Sequence, residues 1–108
     1  MTFSVRVTAG ARKDLRRIHD YISQSDSRDK ADSVALHILK AISTLENLPM
    51  RGVHPPELLA LGNRTYHEVF FKPYRTIYRV QGELVFVALI ADGRREMHSL
   101  LSDRLLRP

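Results

Sequence analysis

The side chains best suited to chemistry are arginines gathered near two strand ends. Arg75 and Arg79 lie four residues apart in Tyr74-Arg75-Thr76-Ile77-Tyr78-Arg79-Val80, and Arg94-Arg95 follow Asp92-Gly93. Guanidinium groups make two-point contacts with carboxylates and phosphates and stack on flat groups. A cluster of Arg75, Arg79 and Arg94 or Arg95 would suit gripping phosphates or stabilising charge on a transferring phosphoryl. The same strands carry Glu68, Glu83, Asp92 and Glu96, and cross-strand ion pairs are common. Both arrangements stay open at this level.

Other chemistries find little support. His19, His37, His54, His67 and His98 include no H-E-x-x-H and none lies four from another, so neither a metal nor another cofactor is expected. Cysteine is absent, which excludes disulfides, thiolate ligands and thiol nucleophiles. There is no G-x-S-x-G or phosphate-loop glycine pattern. Ser99 and Ser102 beside His98 form no recognisable triad. Phe70, Phe71, Tyr74 and Tyr78 read as core, with room for one or two to stack bases from an open face.

The 108 residues suffice for one core, and a single domain over 1–108 is expected. Hydrophobic residues make up 44% and charged residues 27%, proportions that argue against disorder. The net charge is +5, and 13 of the 17 basic residues are arginine. Such a balance points to an acidic partner, either nucleic acid or an acidic protein segment. The opening Met1-Thr2-Phe3-Ser4-Val5-Arg6 reads as the approach to a strand, not a charged leader. Leu84 to Ala91, the longest apolar run, is too short to span a bilayer. A cytoplasmic protein without membrane contact is expected.

Several elements must position these side chains. Phe3 to Val7 alternates as a half-buried strand. Thr8 caps a first helix beginning at about Ala9 to Ala11, with Leu15, Ile18 and Ile22 as its stripe and Tyr21 beside them. Ser23 to Ser27 reads as a polar hinge, with Asp26 or Ser27 capping a second helix. That helix carries Ala31, Val34, Ala35, Ile38, Ile42, Leu45 and Leu48 at steps of three and four, and Pro49 is expected to stop it. Met50 to Asn63 reads mostly as loop.

Three strands follow, Thr65–Phe71, Tyr74–Val80 and Leu84–Ala91, joined by tight turns as an antiparallel meander. The last is apolar throughout, so it should be central and covered on both faces. Met97, Leu100, Leu101 and Leu105 suggest a short closing helix. The expected fold is a two-layer α+β domain with a helical hairpin on one face of a mainly antiparallel sheet. Alternation places Tyr74, Thr76, Tyr78 and Val80 against the helices and Arg75, Ile77 and Arg79 on an opposite, open face.

Four motifs in register carry a family resemblance over about Val5 to Leu106. Asp14-Leu15-x-x-Ile18-x-x-Tyr21-Ile22 resembles the first helix of the RelE/ParE toxins of type II toxin–antitoxin systems. Leu48-Pro49-x-x-Gly52 with Pro56-Glu57-Leu58 resembles their loop after the second helix. Tyr74-Arg75-x-x-Tyr78-x-Val80 resembles their "YR-x-x-Y-x-V" strand, and Ile90-x-x-Gly93-Arg94-Arg95-Glu96 resembles the end of the next one.

The resemblance implies a toxin neutralised by a cognate antitoxin with an acidic wrapping tail. A ribbon-helix-helix domain on that antitoxin would bind operator DNA, so the toxin would reach the operator only through it. ParE-like members inhibit DNA gyrase, whereas RelE-like members cut mRNA in the ribosome. Arg75 and Arg95 match arginines that the nucleases place around the phosphate. Their lysine pair is replaced by Tyr66-His67-Glu68-Val69, and Leu100-Leu101 stand where a late tyrosine or histidine is expected. The apolar closing segment Ser99 to Leu106 resembles ParE members, so the gyrase-directed branch is favoured, with Arg75, Arg79, Arg94, Arg95 and Arg104 as expected target-binding residues. The nuclease alternative takes Glu57 as base (it resembles a YoeB loop glutamate), Arg75 and Arg95 for the phosphate, and His98 or His67 as acid.

Overall fold

A computed structural model of the chain describes residues 2–107. The alternating start forms strand β1 (Ser4–Val7), and the Thr8 hydroxyl accepts the Ala11 N–H at 3.2 Å to cap helix α1 (Ala9–Ser25). The polar stretch expected as a hinge is mostly helix, because α1 continues through Ser25. Only Asp26 and Ser27 separate it from α2 (Arg28–Ser43), which Ser27 caps by accepting the Lys30 N–H.

Ala31, Val34, Ile38 and Ile42 of α2 are buried, as their spacing requires. The helix stops well before Pro49, passing into a 3₁₀ turn at Thr44–Glu46, and Leu48 is left 60% exposed. The Ser43 and Thr44 hydroxyls donate to the carbonyls of Lys40 and Ala41 at 2.7 Å each. Such bonds compete with the helical ladder. The following loop contains one helical turn, α3 (Pro56–Leu59), with proline in its first turn.

Strands β2 (Tyr66–Phe71), β3 (Tyr74–Gln81) and β4 (Leu84–Asp92) form the antiparallel meander, and Gly82 closes its second turn at φ +60°. The sheet order is β1-β4-β3-β2, with β1 parallel to β4. The apolar β4 is therefore an inner strand. Helix α4 (Met97–Leu101) follows, its first N–H groups held by the Glu96 carboxylate, and a π-helical turn at Ser102–Leu106 extends it. The fold is α+β, with the α1–α2 hairpin on one face of a mainly antiparallel sheet. No helix among the described residues is long and apolar enough to cross a membrane.

Two apolar clusters hold these layers. On the hairpin side, Ile22, Val34, Ile38 and Ile42 meet Val69, Tyr78, Val85, Val87 and Ile90. On the reverse side, Leu58 of α3 and Met97 and Leu101 of α4 cover Ile77, Leu89 and Ala91. The face expected to be open is thus roofed at one end. Tyr78 fills the main core, Phe71 and Tyr74 pack against it, and Phe70 on the reverse face is 46% exposed. Tyr21 leaves the α1 stripe altogether and is 72% exposed.

The register of β3 on β4 shifts between Ile77 and Tyr78, which pair with Leu89 and Val87 and leave Ala88 as an extra residue. Beyond Val87, β4 also loses β1 as its neighbour. Side chains answer the backbone there. The buried Asp14 carboxylate accepts the Ile90 N–H at 3.0 Å, and Arg104 donates to the Ala88 carbonyl at 3.1 Å. Arg104 also grips Asp14 through two bonds of 2.9 and 3.1 Å. Gly10 makes room, since a Cβ there would lie 2.6 Å from Arg104 Nη2.

Replacing Asp14 with alanine leaves the Ile90 N–H and the Arg104 guanidinium without their shared acceptor. The expected loss is about 2–3 kcal/mol, read from the urea midpoint. Gly10→Ala, which needs only the end of Arg104 to move, should lose about 1 kcal/mol or less.

Candidate functional site

Alternation along β3 does turn Arg75 away from the hairpin, onto the side of Ile77. Its guanidinium is not on an open surface. Only 9% of the residue is exposed, because α3 and α4 fold over this end of the sheet. Nε and Nη2 donate to the two oxygens of Glu68 at 2.6 and 3.1 Å. Nη1 and Nη2 donate to the two oxygens of Glu57 at 2.8 and 2.7 Å. Four of its five N–H groups are thereby engaged.

Each partner comes from a different element. Glu68 stands beside Arg75 on β2, two residues from Phe70, which is the register partner of Arg75, and is 1% exposed. Glu57 descends from α3. Gly93 clears the path, since a Cβ there would lie 2.8 Å from Arg75 Cδ and 3.0 Å from the Pro73 carbonyl oxygen. The glycine of the Gly93-Arg94-Arg95 motif therefore admits the Arg75 stem.

These pairings act on the Glu57 carboxyl and the Arg75 guanidinium. The hydrogen bonds from Arg75 hold the Glu57 carboxyl below its ordinary value of 4.5, against the opposing effect of burial. The charge of nearby His98 lowers it further. Bonds to Glu57 chiefly, and to Glu68, strengthen the Arg75 guanidinium as a cation. Two carboxylates against one guanidinium leave the trio with one net negative charge.

The remaining candidates make no hydrogen bond to this trio among the described residues. His98 is exposed at the start of α4, with Nδ1 3.5 Å from Glu96 Oε1. His67 lies on the other face of the sheet from Arg75, stacked on Tyr78 and His54, and burial lowers its pKa. It cannot serve as an acid beside Arg75. Arg104 is paired with Asp14, and its side chain is 28% exposed. Arg79 lies over the Phe86 ring at 4.9 Å and donates to Gln81.

Arg94 and Arg95 reach solvent at a different place. They line a cleft of about 410 Å³ between α1 and the end of β4, with Arg17, Ile18 and Tyr21 on the helix side and Tyr74, Ile90 and Asp92 on the sheet side. Asp92 binds Arg94 through both oxygens, which lowers the Asp92 pKa, while the Arg94 side chain stays 75% exposed. Arg95 is exposed and has no ion pair among the described residues. The sequence pattern gave no hint that Arg17 and Tyr21 would join this cleft, because Tyr21 looked like a neighbour of the core stripe. Among the described residues, no group of three histidines or acids converges on a possible metal position.

Comparison with known proteins places this geometry. Residues 5–97 match the family described as the ParE toxin of type II toxin–antitoxin systems, parDE. Among solved structures, the chain is similar to one of the chromosomal ParDE system from P. aeruginosa, with a TM-score of 0.71 at 19% identity, covering 84% of this chain and 96% of that one. It is also similar to one of the RelBE2 toxin–antitoxin complex from Mycobacterium tuberculosis, with a TM-score of 0.61 at 16% identity, covering 85% and 99%. These likenesses are of fold. No curated protein matches the sequence.

Arg75→Ala strands Glu68 as an unpaired buried charge, so it should cost about 3–5 kcal/mol in urea unfolding. Glu57→Gln retains a hydrogen-bonding oxygen and should cost only about 1 kcal/mol. Because the folded Glu57 carboxyl titrates below 4.5, its contribution is present above that value and is lost as pH falls through the lowered one. Stability measured against pH should drop on the acid side of 4.5, with a shallower drop in Glu57→Gln.

Proposed function

The chain belongs to the ParE toxin family of type II toxin–antitoxin systems, and from that premise we propose that it acts by binding DNA gyrase, with no chemistry of its own. The observation that carries this reading is the engagement of Arg75 by two carboxylates. RNA cleavage by a 2′-hydroxyl needs a base poised near neutral pH and a cation available to the phosphate. Glu57 is held ionised by Arg75 and makes a weak base. The negative trio repels a phosphate instead of receiving it. Of the nuclease set, Glu57 and Arg75 do meet and His98 lies near, but Arg95 lines the separate cleft.

Binding requires only an exposed and complementary surface. Arg94 and Arg95 beside Tyr21 supply one, with guanidinium and aromatic groups of the kind that dominate interface energies. Arg75 and Arg104 support the scaffold beneath it, and of the five arginines expected to meet the target, Arg94 and Arg95 are the ones we retain in that role.

A cognate antitoxin neutralises the protein by covering part of this basic surface with an acidic segment, and operator DNA is contacted through the antitoxin. The net charge of +5 supports that pairing through complementarity and fast association. Gyrase as target places the protein in the cytoplasm.

Gyrase supercoiling and cell-free translation, run side by side with purified protein, separate the two branches. Supercoiling should be inhibited while translation proceeds. Arg94→Gln/Arg95→Gln should raise the concentration needed for inhibition by about tenfold or more, from the loss of interface charge and contact, with an unchanged urea midpoint. Translation arrest with cuts at A-site codons and normal supercoiling would refute the proposal.

A further inference from the structure

The strand registers place four side chains in one row across the whole sheet. Arg6 of β1 matches Phe86 of β4, Phe86 matches Arg79 of β3, and Arg79 matches Tyr66 of β2. Directly matched residues share a face. Val5 and Val7 flank Arg6 and pack on the hairpin side, as do Val85 and Val87 around Phe86. The row Arg6–Phe86–Arg79–Tyr66 therefore lies on the reverse face, where Tyr66 packs against the edge of the cluster under α3 and α4 and the other three extend beyond it. Arg6 is exposed and the other three are partly exposed.

Cation and aromatic ring alternate along this row. The Arg79 guanidinium is already over the Phe86 ring, 4.9 Å from its centroid, and its hydrogen bond goes to the neutral Gln81 amide. Neither Arg6 nor Arg79 has a carboxylate partner among the described residues. Glu68, on the same face of β2, is committed to Arg75, and the adjoining row of Ser4, Leu84 and Gln81 is uncharged. Two unneutralised guanidinium groups interleaved with two rings suit a polyanion that also carries flat groups.

We propose that this row is a binding surface for single-stranded nucleic acid, distinct from the Arg94–Arg95 cleft and independent of the gyrase reading. Arg6 and Arg79 take phosphates, while the Arg79 plane and the Tyr66 ring receive unstacked bases. Four strands at about 4.8 Å spacing give a row of about 14 Å, and a four-stranded sheet of this kind stacks about two or three bases. A duplex keeps its bases stacked inside and offers this flat row only phosphates. An acidic peptide offers charge without planes.

Fluorescence anisotropy with 5′-labelled dT12 and rU12 at low salt tests the proposal, with a dT12·dA12 duplex and polyglutamate as competitors. The protein should bind dT12, rU12 or both, and the stronger of the two names the natural strand. Phe86→Leu keeps apolar bulk but removes the plane that supports Arg79, and should weaken binding about fivefold. Arg6→Gln/Arg79→Gln should weaken it about tenfold and flatten the log–log salt slope by about 1.4, as loss of two phosphate contacts to a single strand requires. Arg94→Gln/Arg95→Gln should change it no more than about twofold. Circular dichroism and the urea midpoint verify that each variant is folded. No binding of either single strand, equal competition by duplex or polyglutamate, or unchanged affinity in both folded row variants would overturn the assignment.

Discussion

Burial of Arg75 between Glu57 and Glu68 is the constraint around which the reverse side of the molecule is organised. An arginine 9% exposed and a glutamate 1% exposed are tolerable only together, because either alone would be an uncompensated charge out of water. Their pairing links β2 to β3. Glu57 ties α3 to that pair, and Gly93 leaves the space through which the Arg75 stem passes. One cation thus fastens the loop after the hairpin to the sheet, and the motif residues around it are explained by its accommodation.

The same constraint is what the proposed mode of action rests on. A guanidinium already donating four hydrogen bonds to carboxylates has little left for a phosphate, and a carboxylate bonded to it is a poor proton acceptor. A parallel case stands at the other end of the scaffold, where Asp14 and Arg104, ninety residues apart in sequence, satisfy the backbone around the β4 bulge. On the proposed reading, partner recognition falls to side chains outside both networks.

Much of the fold was legible because it rests on local periodicity. Two-residue alternation marked β1 and β3, three- and four-residue steps marked α2, and an unbroken apolar run marked β4 as an inner strand. Alternation also gave the correct side of the sheet for Arg75. Whether that side was open depended on where α3 and α4 fold back, which is a long-range packing event without a local signal. Glu68 was visible as a possible partner, but nothing in the spacing could weigh an ion pair against an exposed cluster. The early end of α2 shows hydroxyls at Ser43 and Thr44 overriding a stripe that extends to Leu48. Tyr21 shows that an aromatic beside a stripe need not belong to it.

The claim that this protein works by surface contact, with Arg75 and its partners as structure, is tested most directly by growth after expression of Glu57→Gln/His98→Gln without antitoxin. That variant removes both proposed proton carriers while leaving Arg75 a hydrogen-bonding partner. Growth arrest as deep as that of the unaltered chain is the expected result. Full recovery of growth by a double variant that is folded and present at equal level would contradict the account.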